Sequence, residues 1–148
     1  WNPAQDQKLL ALRKLITQTH AKDKVLIFTQ FADTARYLAR EARKAGITHV
    51  EVATGASTDP FALACRFSPK SNNKTTSKAD EVRVLICTDV LSEGQNLQDS
   101  NVVVNFVRQT VRLRHLAVYL WCGNKECVFV IKNIGKCNQR TKCVVSCN

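Results

Sequence analysis

The chain reads as an α/β fold built on a parallel sheet, and three features predict this. Short apolar runs (Val82, Val84, Leu85, Ile86; then Val102, Val103, Val104) fit strands buried on both faces. Such runs alternate with helix-period segments, the pattern of right-handed βαβ units. Between the last two runs lies a polar loop with one glycine, Ser92-Glu93-Gly94-Gln95-Asn96. Open α/β sheets bind ligands at the carboxyl ends of their strands, so this loop reads as a site rather than a plain connection.

Each element has its own signal. Residues 4–20 form a helix, with Leu9, Leu12 and Ile16 on one face. Residues 25–29 are a short apolar strand. Residues 31–45 form a second helix, with Phe31, Ala35, Leu38, Ala39 and Ala42 at i, i+4, i+7, i+8, i+11 spacing. Phe31 is expected in the core, with a base-stacking platform as the alternative. Gly46 sits where a C-terminal cap belongs. Residues 48–53 alternate like a strand. Asp59-Pro60 starts a helix, Asp59 as N-cap and Pro60 at its first position. Phe61, Ala64 and Phe67 are expected to face inward. Residues 70–80 lack apolar anchors and read as an exposed loop; the glycosylation match at Asn73-Lys74-Thr75 is taken as chance. Residues 83–87 and 101–105 are the next two strands. Beyond Phe106 the weaker runs 117–122, 127–134 and 142–146 suggest a small meander.

With 148 residues the chain suits one domain and can bury a real core. It begins with Trp1 and contains no Met, so it reads as a piece of a longer product. No run of 18 apolar residues argues for a membrane span, no leader pattern opens the chain, and the cytoplasm is the default compartment. The net charge of +10 is uneven: residues 106–148 hold eight Lys/Arg against Glu126 alone. Such a surplus suits a polyanion such as nucleic acid, or a solvated tail. Five of the seven cysteines, Cys122, Cys127, Cys137, Cys143 and Cys147, crowd the same end. Cys65 and Cys87 lie among apolar residues and read as inert buried thiols. Two composition shifts at one place put a boundary near residue 106.

The stretch Thr88–Gln98, TDVLSEGQNLQ, followed by SNVVVNF, resembles motif V of superfamily II helicases and translocases, the Swi/Snf-type and related bacterial helicase-like ATPases above all. Upstream, DQKLLALRKLI (Asp6–Ile16) is similar to the helix opening the second RecA-like lobe. KVLIFTQFADTARYLAREARKAGI (Lys24–Ile47) looks like motif IV and its helix. VATGASTDPFALACRFSP (Val52–Pro69) resembles the Gly-Ser/Thr segment and the helix that follows it. About 100 of the 148 residues are covered, in the family's order.

The resemblance implies a RecA-like helicase C-terminal lobe over residues 1–106, followed by a basic, cysteine-rich tail over 107–148. It implies that Glu93, Gly94 and Asn96 contribute to ATP binding. An Asn amide can bond ribose hydroxyls without adding negative charge near phosphates. It implies that Thr54, Gly55, Ser57, Thr88 and Asp89 face nucleic acid, most readily DNA. A Thr hydroxyl at a strand end can donate to a phosphate oxygen, and small residues let backbone N–H groups reach phosphates. The plain alternative makes these residues ordinary turns and strand ends.

The parts that hold triphosphate and magnesium are missing. No G-x-x-x-x-G-K-[ST] loop occurs among the five glycines. In the family ATP and Mg²⁺ are held by a first lobe, absent here, and this chain alone is expected to bind neither. Motif VI also departs: VRQTVRLRHLAVYLWCGNKEC has no Gly-Arg pair. Arg108, Arg112 and Arg114 do not match the family's arginine finger, which is worth ~10³–10⁵ in rate. No residue is assigned a catalytic role, no metal ligand is assigned, and no nucleic-acid-stimulated ATPase is expected of the chain alone.

The tail has three readings. Cys122/Cys127 and Cys143/Cys147 fit a zinc site loosely, without a C-x2-C pair. Disulfides would need an oxidising compartment. The third reading, an unligated segment that is non-native or poorly ordered, fits the abrupt loss of the family pattern. Two rivals stand beside the helicase-lobe reading. One is a non-catalytic nucleic-acid-binding module built on the basic tail. The other is a flavodoxin-like enzyme, for which Thr29-Gln30-Phe31 lacks the expected cofactor loop.

Overall fold

The computed structural model describes residues 6–91, 96–106 and 126–129. Five strands form one sheet: β1 (Val25–Thr29), β2 (Val50–Ala53), β3 (Val84–Cys87), β4 (Val102–Phe106) and β5 (Glu126–Phe129). Their order is β2-β3-β1-β4-β5, and every neighbouring pair is parallel. Helices α1 (Gln7–Lys14), α2 (Ala32–Lys44) and α3 (Pro60–Phe67) precede or connect the strands.

The unbroken apolar strands follow from this layering. β1 and β3 are buried at every position because helices or loops cover both sides. Strand alternation sends Val25, Ile27, Val84, Ile86, Val102 and Val104 to one face, where Leu9, Leu12, Ile16, Ala35, Leu38 and Ala39 pack. Leu26, Phe28, Leu85 and Cys87 go to the other, against Ala64, Phe67, Leu91 and Leu97. Burial drives the Cys87 thiol pKa far above its ordinary value, and the thiol donates to Ile27 O at 3.7 Å, which makes it inert.

Local chemistry sets the helix ends. The Asp6 carboxylate accepts from Lys8 and Leu9 N–H and so caps α1. After Lys14 the helix widens into a π turn, Leu15–Thr19. Gly46 takes the left-handed φ of +78° that ends α2, and Ile47 N–H donates back to Ala42 O. Asp59 caps α3 through Ala62 N–H at 2.8 Å, with Pro60 at the first position. β2 starts at Val50, two residues later than expected, because His49 sits at φ +56° and cannot extend the strand.

Two aromatic assignments are corrected. Phe31 is 58% exposed and Phe61 is 51% exposed. Phe31 is the residue before α2, with extended backbone, and so leaves the helical stripe. Phe61 lies in the first turn of α3, several residues past the end of β2. His20 is buried, with Nδ1 2.8 Å from Asp23 Oδ2. Among the described residues no helix is long and apolar enough to cross a membrane. The weak runs 117–122 and 142–146 lie outside the described residues. Of the expected meander, 126–129 is described, and it joins the main sheet parallel to β4.

Candidate functional site

The sheet's carboxyl edge collects most of the residues singled out from sequence. Register places Phe28, Cys87 and Ala53 side by side across β1, β3 and β2. The next residues, Thr29, Thr88 and Thr54, therefore end the three strands at one level. All three are nearly inaccessible, at 5%, 5% and 3%. Thr88 N–H donates to Ala53 O at 3.1 Å, which carries the β3–β2 ladder one residue past β3. The loop after β2 is a tight turn. Ser57 N–H donates to Thr54 O at 2.8 Å, and Thr54 N–H donates to Ser57 Oγ at 2.9 Å. Ser57 keeps its hydroxyl proton available. Thr54, Gly55, Ser57, Thr88 and Asp89 thus stand together. Asp89 opens a short 3₁₀ turn, Asp89–Leu91, whose Leu91 is buried.

Gly55 is exposed, and its backbone does not require glycine: only Gly46 among the described glycines has positive φ. A Cβ at position 55 would meet nothing within 4 Å. Among the described residues neither conformation nor crowding explains the glycine, and the open space in front of it would admit a close backbone approach from outside. Exposed Phe31 and Phe61 open the helices that follow β1 and β2 at the same edge. The edge also carries exposed Asp33, Asp59 and Asp89, so an anion there would be held by N–H and O–H donors rather than by net charge.

Asn96 is elsewhere. α3 returns from the carboxyl edge to the amino edge, where Lys24 Nζ, at the start of β1, donates to Phe67 O at 2.6 Å. Asn96 packs against the turn that follows α3. It donates from Nδ2 to Ser71 O at 2.7 Å, and its Oδ1 accepts from Gln98 N–H at 3.3 Å. An Asn carboxamide has two N–H donors, so one remains. Glu93 and Gly94 lie outside the described residues, as do Arg108, Arg112, Arg114 and the tail cysteines except Cys127. The expected nucleic-acid set is therefore brought together, and the one described member of the nucleotide set stands apart from it. Among the described residues no group of three or more His, Cys, Asp or Glu could hold a metal. The sequence reading missed Thr29; the shared level of three strand ends would have pointed to it, but that level depends on register.

Known proteins share this architecture. The family model described as helicase conserved C-terminal domain matches residues 7–113. Among solved structures, the C-terminal part of the Fun30 ATPase domain superposes with TM-score 0.64 at 19% identity, over 87% of this chain and 42% of that one. The Sulfolobus solfataricus SWI2/SNF2 ATPase C-terminal domain gives 0.54 at 22% identity, over 71% and 44%. The Pyrococcus furiosus Hef helicase domain gives 0.52 at 25% identity, over 66% and 19%. The chain thus spans less than half the length of each of these structures. No curated protein matches it.

Proposed function

This chain belongs to the helicase conserved C-terminal domain family, and from that premise we propose that it is the second RecA-like lobe of an ATP-dependent DNA translocase, inactive alone. Its carboxyl edge is half of the nucleic-acid track. Ser57 offers a part-exposed hydroxyl, the buried Thr54 and Thr88 set the strand ends behind it, and Gly55 lets the backbone come close to a phosphodiester strand. The observation that carries this reading is Gly55, an exposed glycine that nothing among the described residues requires.

The arm with Glu93, Gly94 and Asn96 is one wall of a nucleotide cleft, completed by a first lobe that holds ATP and Mg²⁺. ATP supplies the phosphoryl-transfer energy when bound between lobes. Asn96 fits a ribose contact through its remaining N–H.

The test is fluorescence anisotropy of a labelled oligonucleotide with the full chain across a salt series. Gly55→Ala should leave the urea midpoint unchanged or slightly higher, since glycine adds freedom to the unfolded chain. The same change should weaken binding several-fold. Unaltered affinity in Gly55→Ala would sink the track reading. Were binding also to vanish on removing residues 107–148, the basic-module alternative would replace it.

A further inference from the structure

The turn after α3 is more than the start of an exposed loop. Asp99, on the arm returning from β3 to β4, receives Lys70 N–H on one oxygen at 2.9 Å and Ser71 N–H on the other at 3.1 Å. The Ser71 hydroxyl donates to that second oxygen as well. Asn72 donates from Nδ2 to Ser68 O at 2.8 Å and to Asn96 O at 2.7 Å. Asn96 returns a bond to Ser71 O at 2.7 Å, and Asp99 N–H donates to Ser68 Oγ at 3.3 Å. Donors and acceptors run both ways between segments 24 to 31 residues apart in sequence. Ser68 at the base of this brace is fully buried.

We propose that the turn Ser68–Asn72 is the positioning element of the β3–β4 arm, with Asp99 and Asn72 as its positioning residues. The proposal rests on reading that arm as the nucleic-acid and nucleotide contact. The near end of the arm is Thr88-Asp89 at the carboxyl edge. Leu91 is buried just beyond that near end, and Leu97 is buried within the far end. The brace grips its far end at Asn96 and Asp99. An ionised carboxylate with three donors holds more firmly than neutral pairs do. Gripping the arm at Asn96 and Asp99 leaves Asn96 a single donor in a set direction. Without the brace, ordering the arm would be charged against each binding event.

The test uses the full chain, with amide hydrogen exchange resolved by NMR and anisotropy of a labelled oligonucleotide. Asp99→Asn preserves shape, so the fold should persist. Lys70 and Ser71 amides should exchange at least about tenfold faster. Asn72→Ala does not touch Asp99, yet the amides of Asp99 and Ser100 on the opposite segment should accelerate similarly. Amides of β1 and β3 should keep wild-type rates. The oligonucleotide dissociation constant should rise about fivefold or more in both variants, the usual floor for coupled sites. Acceleration confined to the mutated segment overturns the proposal, as does unchanged affinity once the brace has opened. If the wild-type chain binds no oligonucleotide, the contact reading fails, and the reciprocal exchange pattern still decides whether the turn holds the arm.

Discussion

Asn105 is the residue whose chemistry fits its place least. It is 8% exposed near the carboxyl end of β4, beside Phe28 of β1, and its Oδ1 has no hydrogen-bond partner among the described residues. A buried acceptor left unpaired costs about 1–3 kcal/mol relative to a solvated one. Asn105→Leu removes the orphan while keeping the γ-branched shape and the number of side-chain heavy atoms. We expect its urea unfolding free energy to match wild type or exceed it by about 1 kcal/mol. A clear loss would mean that the carbonyl is engaged after all. Residue-level reading of the sequence did well where one residue type has one conformational reason. Gly46 and Asp59 were legible because a left-handed φ and an N-cap are local demands. Phe31 and Phe61 were misplaced because helical periodicity says nothing about where the sheet beneath a helix stops.

At the scale of elements, periodicity located α2 and α3 to within a residue or two, and the apolar runs located β1, β3 and β4. The Ser68–Asn72 brace was illegible. Its partners are polar residues some 24 to 31 positions away, and only the return of α3 to the amino edge brings them together. α2 carries an ion-paired carboxylate whose titration is testable. Glu41 in its last turn is nearly buried and bonds Lys44 Nζ at 3.0 Å and Arg40 Nε at 3.2 Å. The Lys44 hydrogen bond is the largest influence and lowers the Glu41 pKa; partial burial opposes it, and Arg40 assists. A carboxylate depressed on folding stabilises above its unfolded pKa, about 4.3, and that contribution is lost as pH falls through the folded value. Glu41→Gln should therefore have a lower Tm than wild type at neutral pH. The gap should stay flat down to about pH 5 and close below about pH 4, as Glu41 protonates in wild type. A gap that persists at low pH would assign the effect to packing.

For the whole molecule, the question is how a parallel sheet ends. The β2 edge is guarded: Glu51 meets Arg66 Nη2 at 3.3 Å and Arg43 Nη2 at 3.7 Å, and Arg43 also donates to Val50 O at 2.6 Å. Charged side chains over an edge discourage pairing with other chains. β4 has no such guard of its own sequence, since Val102, Val103 and Val104 run straight to Asn105 and Phe106. Its outer edge is covered by β5, in register from Val102 with Glu126 to Asn105 with Phe129. The composition shift near residue 106 was visible in the sequence, whereas a parallel partner 24 residues further on was not, because periodicity carries no pairing partner. Two truncations separate a covering strand from an idle tail. A chain ending at 129 keeps β5 and should match the full chain in urea midpoint. A chain ending at 106 loses the four-residue ladder with β4. At roughly 1 kcal/mol net per ladder bond, it should lose about 2–4 kcal/mol. It should also self-associate as concentration rises, through the exposed β4 edge. If the shorter chain instead unfolds at the full-length midpoint and stays monomeric, residues 107–148 add nothing to the fold, and the domain does end at 106.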